Sequence, residues 1–148
     1  MALMQFEAEE RKILFTHTVG AALSPVLGDE TQIGQVLLNI VVNAFHAMPD
    51  GGRCHITADE RVADGKHWVE ISVKDTGLGI QEEALPRLFE PFYTTNPNGT
   101  GLGLAIAYRI MQDHGGTITI SSAPGHGTTV VIGFPAGVGR LQTIGTAS

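Results

Sequence analysis

Cysteine, basic residues and long apolar runs are all scarce in this chain of 148 residues, and each scarcity excludes a class of protein. The single cysteine, Cys54, cannot form an internal disulfide, so a disulfide-stapled secreted scaffold is out and a reducing cytoplasmic compartment fits. Nine Lys and Arg against fifteen Asp and Glu leave a net charge of -6. A nucleic-acid or anionic-membrane surface relies on clustered cations, so neither partner is expected. The longest apolar run, Val36 to Val42, is broken by Asn39 and falls far short of the roughly 20 residues of a membrane span. Met1 to Phe6 has no basic flank, and Glu7, Glu9 and Glu10 interrupt it, which is unlike a signal peptide. No two of the six histidines stand three to five residues apart, so metal-ligand spacing is missing.

What remains is enough for one domain that buries its own core. Phe6 to Lys12 suits a short helix leading into a strand over Ile13 to Val19. Pro25 and Gly28 mark a turn, and Asp29, Glu30 and Thr31 then supply a cap and first-turn acids for a helix to about Ala47. Cys54 to Val62 and His67 to Lys74 read as strands joined through Ala63-Asp64-Gly65-Lys66. Gln81 to Leu88 is a short helix or turn, and Glu90 to Gly101 is a loop. Leu102 to Asp113 has helical periodicity through Leu104, Ala107, Ile110 and Met111, ended by Gly115-Gly116. Thr117 to Ser122 and Thr128 to Phe134 form a second hairpin, and residues 137–148 read as a flexible tail. The fold class is α+β: a two-layer α/β sandwich whose mixed, mostly antiparallel sheet is covered by helices on one face.

Glycine is abundant, with 19 copies, and two segments concentrate it: Asp75-Thr76-Gly77-Leu78-Gly79-Ile80 and Gly99-Thr100-Gly101-Leu102-Gly103-Leu104. Neither has the spacing of a dinucleotide fingerprint, and no Gly-Lys-Ser/Thr exists for a P-loop. Taken singly, each is equally a set of turn glycines. Asn39 and Asn43 add a second signal, because four residues place them side by side on one helical face. Amides among Val, Leu and Ile need partners, since an unpaired buried amide costs ~1–3 kcal/mol. Neighbouring loop backbone or a ligand would serve.

Read together, these segments resemble a family. Gln35 to Ala44 resembles the N box, Asp75 to Ile80 the G1 box, Phe89-Glu90-Pro91-Phe92 the F box and Gly99 to Leu104 the G2 box of sensor histidine kinases. The four stand in the family's order between residues 29 and 134. The resemblance implies the Bergerat ATP-binding fold shared with gyrase B subunits and MutL. Tyr93-Thr94-Thr95, His114-Gly115-Gly116 and Gly125-His126-Gly127-Thr128 look most like nitrogen-regulatory sensor kinases.

The resemblance implies ATP and magnesium as cofactors. Asp75, read as a surface-facing pocket acid, would accept the adenine amine, with Gly77, Gly79 and Ile80 turning beneath the purine and Thr128 adding a hydroxyl. Asn43 would hold magnesium, a hard cation preferring oxygen donors. Asn39 takes the catalytic position where hydrolytic relatives resemble one another in having a Glu base. An amide cannot abstract a proton from water, which favours phosphoryl transfer over hydrolysis. Gly99, Thr100, Gly101, Leu102, Gly103 and Leu104 open a helix whose amides suit phosphate oxygens. Phe92 and Thr95 belong to the same nucleotide contacts, and Glu90 to Asn98 resembles the ATP lid.

Three departures qualify the match. Asn96 stands where relatives often have Lys, leaving Arg87 and Arg109 as the fixed cations between Asp75 and Gly116. No histidine has the acidic and basic neighbours of a phosphoacceptor, so the expected partners are a histidine-containing dimerisation domain outside this chain and a response regulator receiver domain. The family's first strand and most of its first helix are missing before Phe6, as in an excised domain or truncated product. The domain is expected in the cytoplasm without direct membrane contact, even where the parent protein is anchored. The alternative is a stand-alone Bergerat-fold module resembling anti-sigma factors with serine kinase activity.

Overall fold

Two hydrophobic periodicities organise the chain. In the computed structural model, which describes residues 2–19, 30–94 and 101–136, Ile33, Val36, Ile40, Val41, Ala44 and Phe45 are buried along helix α2 (Glu30–His46). Their three- and four-residue steps make one apolar stripe. On the strands the step is two: Cys54, Ile56 and Ala58 on β2 (Gly52–Ala63), Val69, Val73 and Asp75 on β3 (Lys66–Asp75), and Thr128, Val130, Ile132 and Phe134 on β5 (Thr128–Pro135).

The remaining elements are α1 (Ala2–Glu10), β1 (Ile13–Val19), a 3₁₀ turn at Leu85–Arg87, α3 (Gly103–Asp113) and β4 (Thr117–Ser122). The five strands lie in the order β1-β2-β3-β5-β4. β1 pairs with β2 in parallel, and every other pairing is antiparallel. Ala107, Ile110 and Met111 of α3 join the α2 stripe and the strand residues in one core. There the Phe15 and Phe45 rings meet edge to face at 5.5 Å. The opposite sheet face presents Thr16, Thr18, Lys74, Thr119 and Ser121 to solvent. This is the expected two-layer α+β sandwich.

Turn chemistry sets both hairpins. Asp64 and Gly65 have φ of 51° and 74°, so a two-residue turn with both centres left-handed joins Ala63 to Lys66. Residues 123–127 close the second hairpin, pairing Ser122 with Thr128. The boundaries differ locally from the sequence reading. α1 begins at Ala2 rather than Phe6, and of Gln81 to Leu88 only Leu85–Arg87 coils. The turn at Pro25 to Gly28, the cap Asp29, the residues Thr95, Asn96, Gly99 and Thr100, and the tail 137–148 lie outside the described residues.

Candidate functional site

Asp75 ends β3 directly opposite the first residue of β5, Thr128. Both are buried, 5% and 8% exposed, and they are the buried polar side chains among the described residues. Asp75 is therefore buried and not the surface-facing pocket acid expected. The turn folds back: the Leu78 amide donates to the Ala47 carbonyl at the end of α2 at 2.9 Å, and the Gly127 backbone lies against the Asp75 carbonyl. Asp75 Oδ1 accepts from the amides of Gly77 at 2.8 Å and Thr128 at 3.2 Å. Burial pushes the carboxyl pKa up, and these two hydrogen bonds pull against it. Among the described residues Oδ2 accepts from no protein donor, so it is available to one from outside.

Ser122, which no sequence motif marks, links the neighbouring strand ends. Its hydroxyl donates to the Gly127 carbonyl at 2.9 Å and accepts from the Ile80 amide at 2.8 Å. Having one proton, it leaves Thr128 Oγ1 to donate at 2.8 Å. The five-residue loop between Ser122 and Thr128 is the signal that places them opposite one another. The glycines serve this packing as much as any ligand. A Cβ on Gly77 would collide with the Ala47 carbonyl, and one on Gly79, at φ of 75°, with the Ala123 carbonyl.

The two asparagines behave differently. Asn39, half-buried, donates from Nδ2 to the Gly103 carbonyl at 3.2 Å and so ties α2 to the start of α3. This is the amide-to-backbone partner that its apolar surroundings require. Asn43 is exposed on the same helix. The α3 N-terminus follows Leu102 with no side-chain cap hydrogen bond and no acid in the helix's own first turn. Leu102, Gly103 and Leu104 are half-buried there.

The F box meets this terminus from the other side. Phe92, at φ of 69°, donates its amide to the Gly101 carbonyl at 2.8 Å while its ring stays 75% exposed. Gly101 has φ of 76°, and a Cβ there would strike the Phe92 backbone. Arg87 is committed to Glu90 and Tyr93, whereas Arg109 is exposed. The motif residues therefore form two groups: a buried carboxylate with one open oxygen beside a hydroxyl pair, and a helix start tied by Asn39 to α2 and by Gly101 to Phe92.

Residues 28–138 match the family described as histidine kinase-, DNA gyrase B-, and HSP90-like ATPase, and the chain belongs to that family. Within it, the chain is similar to sensor histidine kinases and to their catalytic domains. It is 37% identical over 145 residues to the sensor histidine kinase ZraS of Escherichia coli K12, covering 98% of this chain and 30% of ZraS. Full-length ShkA in complex with AMPPNP superposes with a TM-score of 0.80 at 34% identity, over 94% of this chain and 29% of ShkA. ThkA, solved with the response regulator TrrA, gives a TM-score of 0.75 at 31% identity, over 92% of this chain and 38% of ThkA. The chain spans less than a third of the length of the curated relatives it matches.

Proposed function

We propose that this domain, residues 1–136, binds ATP with magnesium and presents the γ-phosphate to a histidine on a separate dimerisation domain, from which a response regulator takes the phosphoryl group. The supporting observation is the Asp75 carboxylate: buried, held through one oxygen by two backbone amides, and open at the other. A single acceptor in an enclosed place suits the exocyclic amine of adenine. Thr128 adds its hydroxyl beside it, with Gly77, Gly79 and Ile80 forming the floor. The α3 terminus, at Gly101 to Leu104, supplies backbone donors for phosphate oxygens.

Asn43 would hold the metal. Its exposed amide oxygen is a hard donor reachable by a hydrated cation, and that oxygen's partial charge suits magnesium without displacing all its waters. Bound magnesium supplies charge neutralisation between phosphates. Asn39 holds Gly103 and offers no base, so the chain's residues position phosphate rather than activate water. ShkA's AMPPNP and ThkA's complex with TrrA support the nucleotide and the regulator as ligands of this kind of domain. Among the described residues no helix is long and apolar enough to cross a membrane, in keeping with a cytoplasmic place for this domain.

The test has two arms. Calorimetry with ATP should give binding that weakens when magnesium is chelated, and more so in wild type than in Asn43→Ala. Added to a histidine-bearing dimerisation domain with labelled ATP, the chain should pass acid-labile phosphate to that domain. Label appearing on serine of a captured partner would point instead to the stand-alone module, and nucleotide binding indifferent to magnesium would remove the metal role.

A further inference from the structure

Arg87 lies at the end of the 3₁₀ turn, and its guanidinium is occupied twice. Nε donates to Glu90 Oε1 at 3.3 Å, and Cζ stands 4.3 Å from the centroid of the Tyr93 ring. The backbone follows the same curl, with Glu90 N donating to Arg87 O at 3.0 Å and Tyr93 N to Glu90 O at 3.2 Å. Arg87 and Glu90 are about half exposed, at 56% and 52%, so the ion pair itself contributes little. The planar group, facing the ring while its edge reaches a carboxylate, instead fixes the direction of the chain between them.

That direction matters because of what lies inside the curl. Phe89 stacks on Tyr108 of α3 with centroids 4.8 Å apart, and Phe92 donates to Gly101, two residues before α3 begins. We propose that Arg87 is a positioning residue for nucleotide phosphates: by clasping Glu90 and Tyr93 it seats Phe92 on Gly101 and thereby holds the first turn of α3 in place. This rests on the reading of that turn as the phosphate site.

ATP and AMP are titrated against wild type, Arg87→Ala, Arg87→Lys, Tyr93→Leu, Tyr93→Phe and the Arg87→Ala/Tyr93→Leu pair, with melting curves for each. Arg87→Ala and Tyr93→Leu should each weaken ATP by about three- to tenfold while AMP changes less. The double variant should bind no worse than the weaker single, because both break one clasp. Tyr93→Phe keeps the ring and should bind as wild type does. Arg87→Lys keeps charge without the planar fork and should resemble Arg87→Ala. Wild-type affinity in Arg87→Lys with loss only in Arg87→Ala would make Arg87 a charge at the phosphates and overturn the proposal. So would Tyr93→Leu binding ATP normally, or the two losses multiplying. Wild type failing to bind ATP would instead defeat the nucleotide reading itself.

Discussion

The amide of Thr128 donates to Asp75 Oδ1 at 3.2 Å across the β3–β5 pairing, so a buried carboxylate is held by the backbone of the strand beside it. The carboxylate plane, and with it the oxygen left without a protein donor among the described residues, is thereby oriented by the backbone.

Replacing that oxygen alone separates recognition from folding. Asp75→Asn keeps an Oδ1 acceptor for Gly77 and Thr128 but turns the outward atom into a donor. ATP affinity should fall roughly 10- to 100-fold, the worth of a hydrogen bond to a charged group. Thermal melting should change little or rise, because a neutral amide replaces a buried charge. Unaltered ATP affinity by calorimetry would remove Asp75 from recognition.

The same carboxyl makes stability depend on pH. Burial raises its folded pKa, so folding favours the protonated form. Its contribution is full below the ordinary carboxylate range and is lost as pH rises through the raised folded value. Urea melts of wild type and Asp75→Asn should therefore diverge, wild type losing stability relative to the variant as pH climbs through that window. Parallel curves would mean that Asp75 is not desolvated. ATP binding should run the other way and weaken on acidification, since the protonated form is a poorer acceptor.

Gly79 and Gly125 share a left-handed backbone, at φ of 75° and 77°, yet differ in surroundings. A Cβ at Gly125 meets nothing within 4 Å, while one at Gly79 collides with the Ala123 carbonyl. Gly125→Ala should cost about 1–2 kcal/mol from backbone conformation. Gly79→Ala should cost ~1–3 kcal/mol more from overpacking. Denaturant titration of the two variants gives the comparison, and equal losses would mean that the turn at Gly79 gives way freely.

Cys54 is fully buried opposite Asp75, and burial, aided by that carboxylate, pushes its thiol up to about 12. A thiol reagent at pH 8 should label it only as fast as the molecule opens, and the rate should climb with urea. Rapid labelling of native protein would contradict the packing around β2.

Much of this was legible beforehand because local chemistry determined it. Thr117 to Ser122 alternates cleanly and appears as a strand with those bounds, and Asp64-Gly65 supplies the two left-handed centres its hairpin demands. That Asn39 needs a partner among its apolar neighbours was legible, and a backbone carbonyl, that of Gly103, meets it. The misreadings involve distant neighbours. Asp75 is in step with Val69 and Val73 on the buried face of β3, but its partner Thr128 comes from 53 residues away and is not visible from the strand alone. Ser122 looks like an ordinary strand end until the register puts Thr128 beside it. Arg87 could not be separated from a solvated surface residue without the Tyr93 ring's position.

The sheet order has a kinetic side. β2–β3 and β4–β5 are each closed by short turns, whereas β3 finds β5 across a separation of 53 residues at Asp75 and Thr128. Closing so long a loop is slow and entropically costly, so the seam is expected to join after the two hairpins have closed. The Asp75–Thr128 pair proposed to hold adenine straddles that seam. A nucleotide held by both would rivet the joint, and amide exchange in the facing halves of β3 and β5 should slow on binding more than in the β2–β3 hairpin tip.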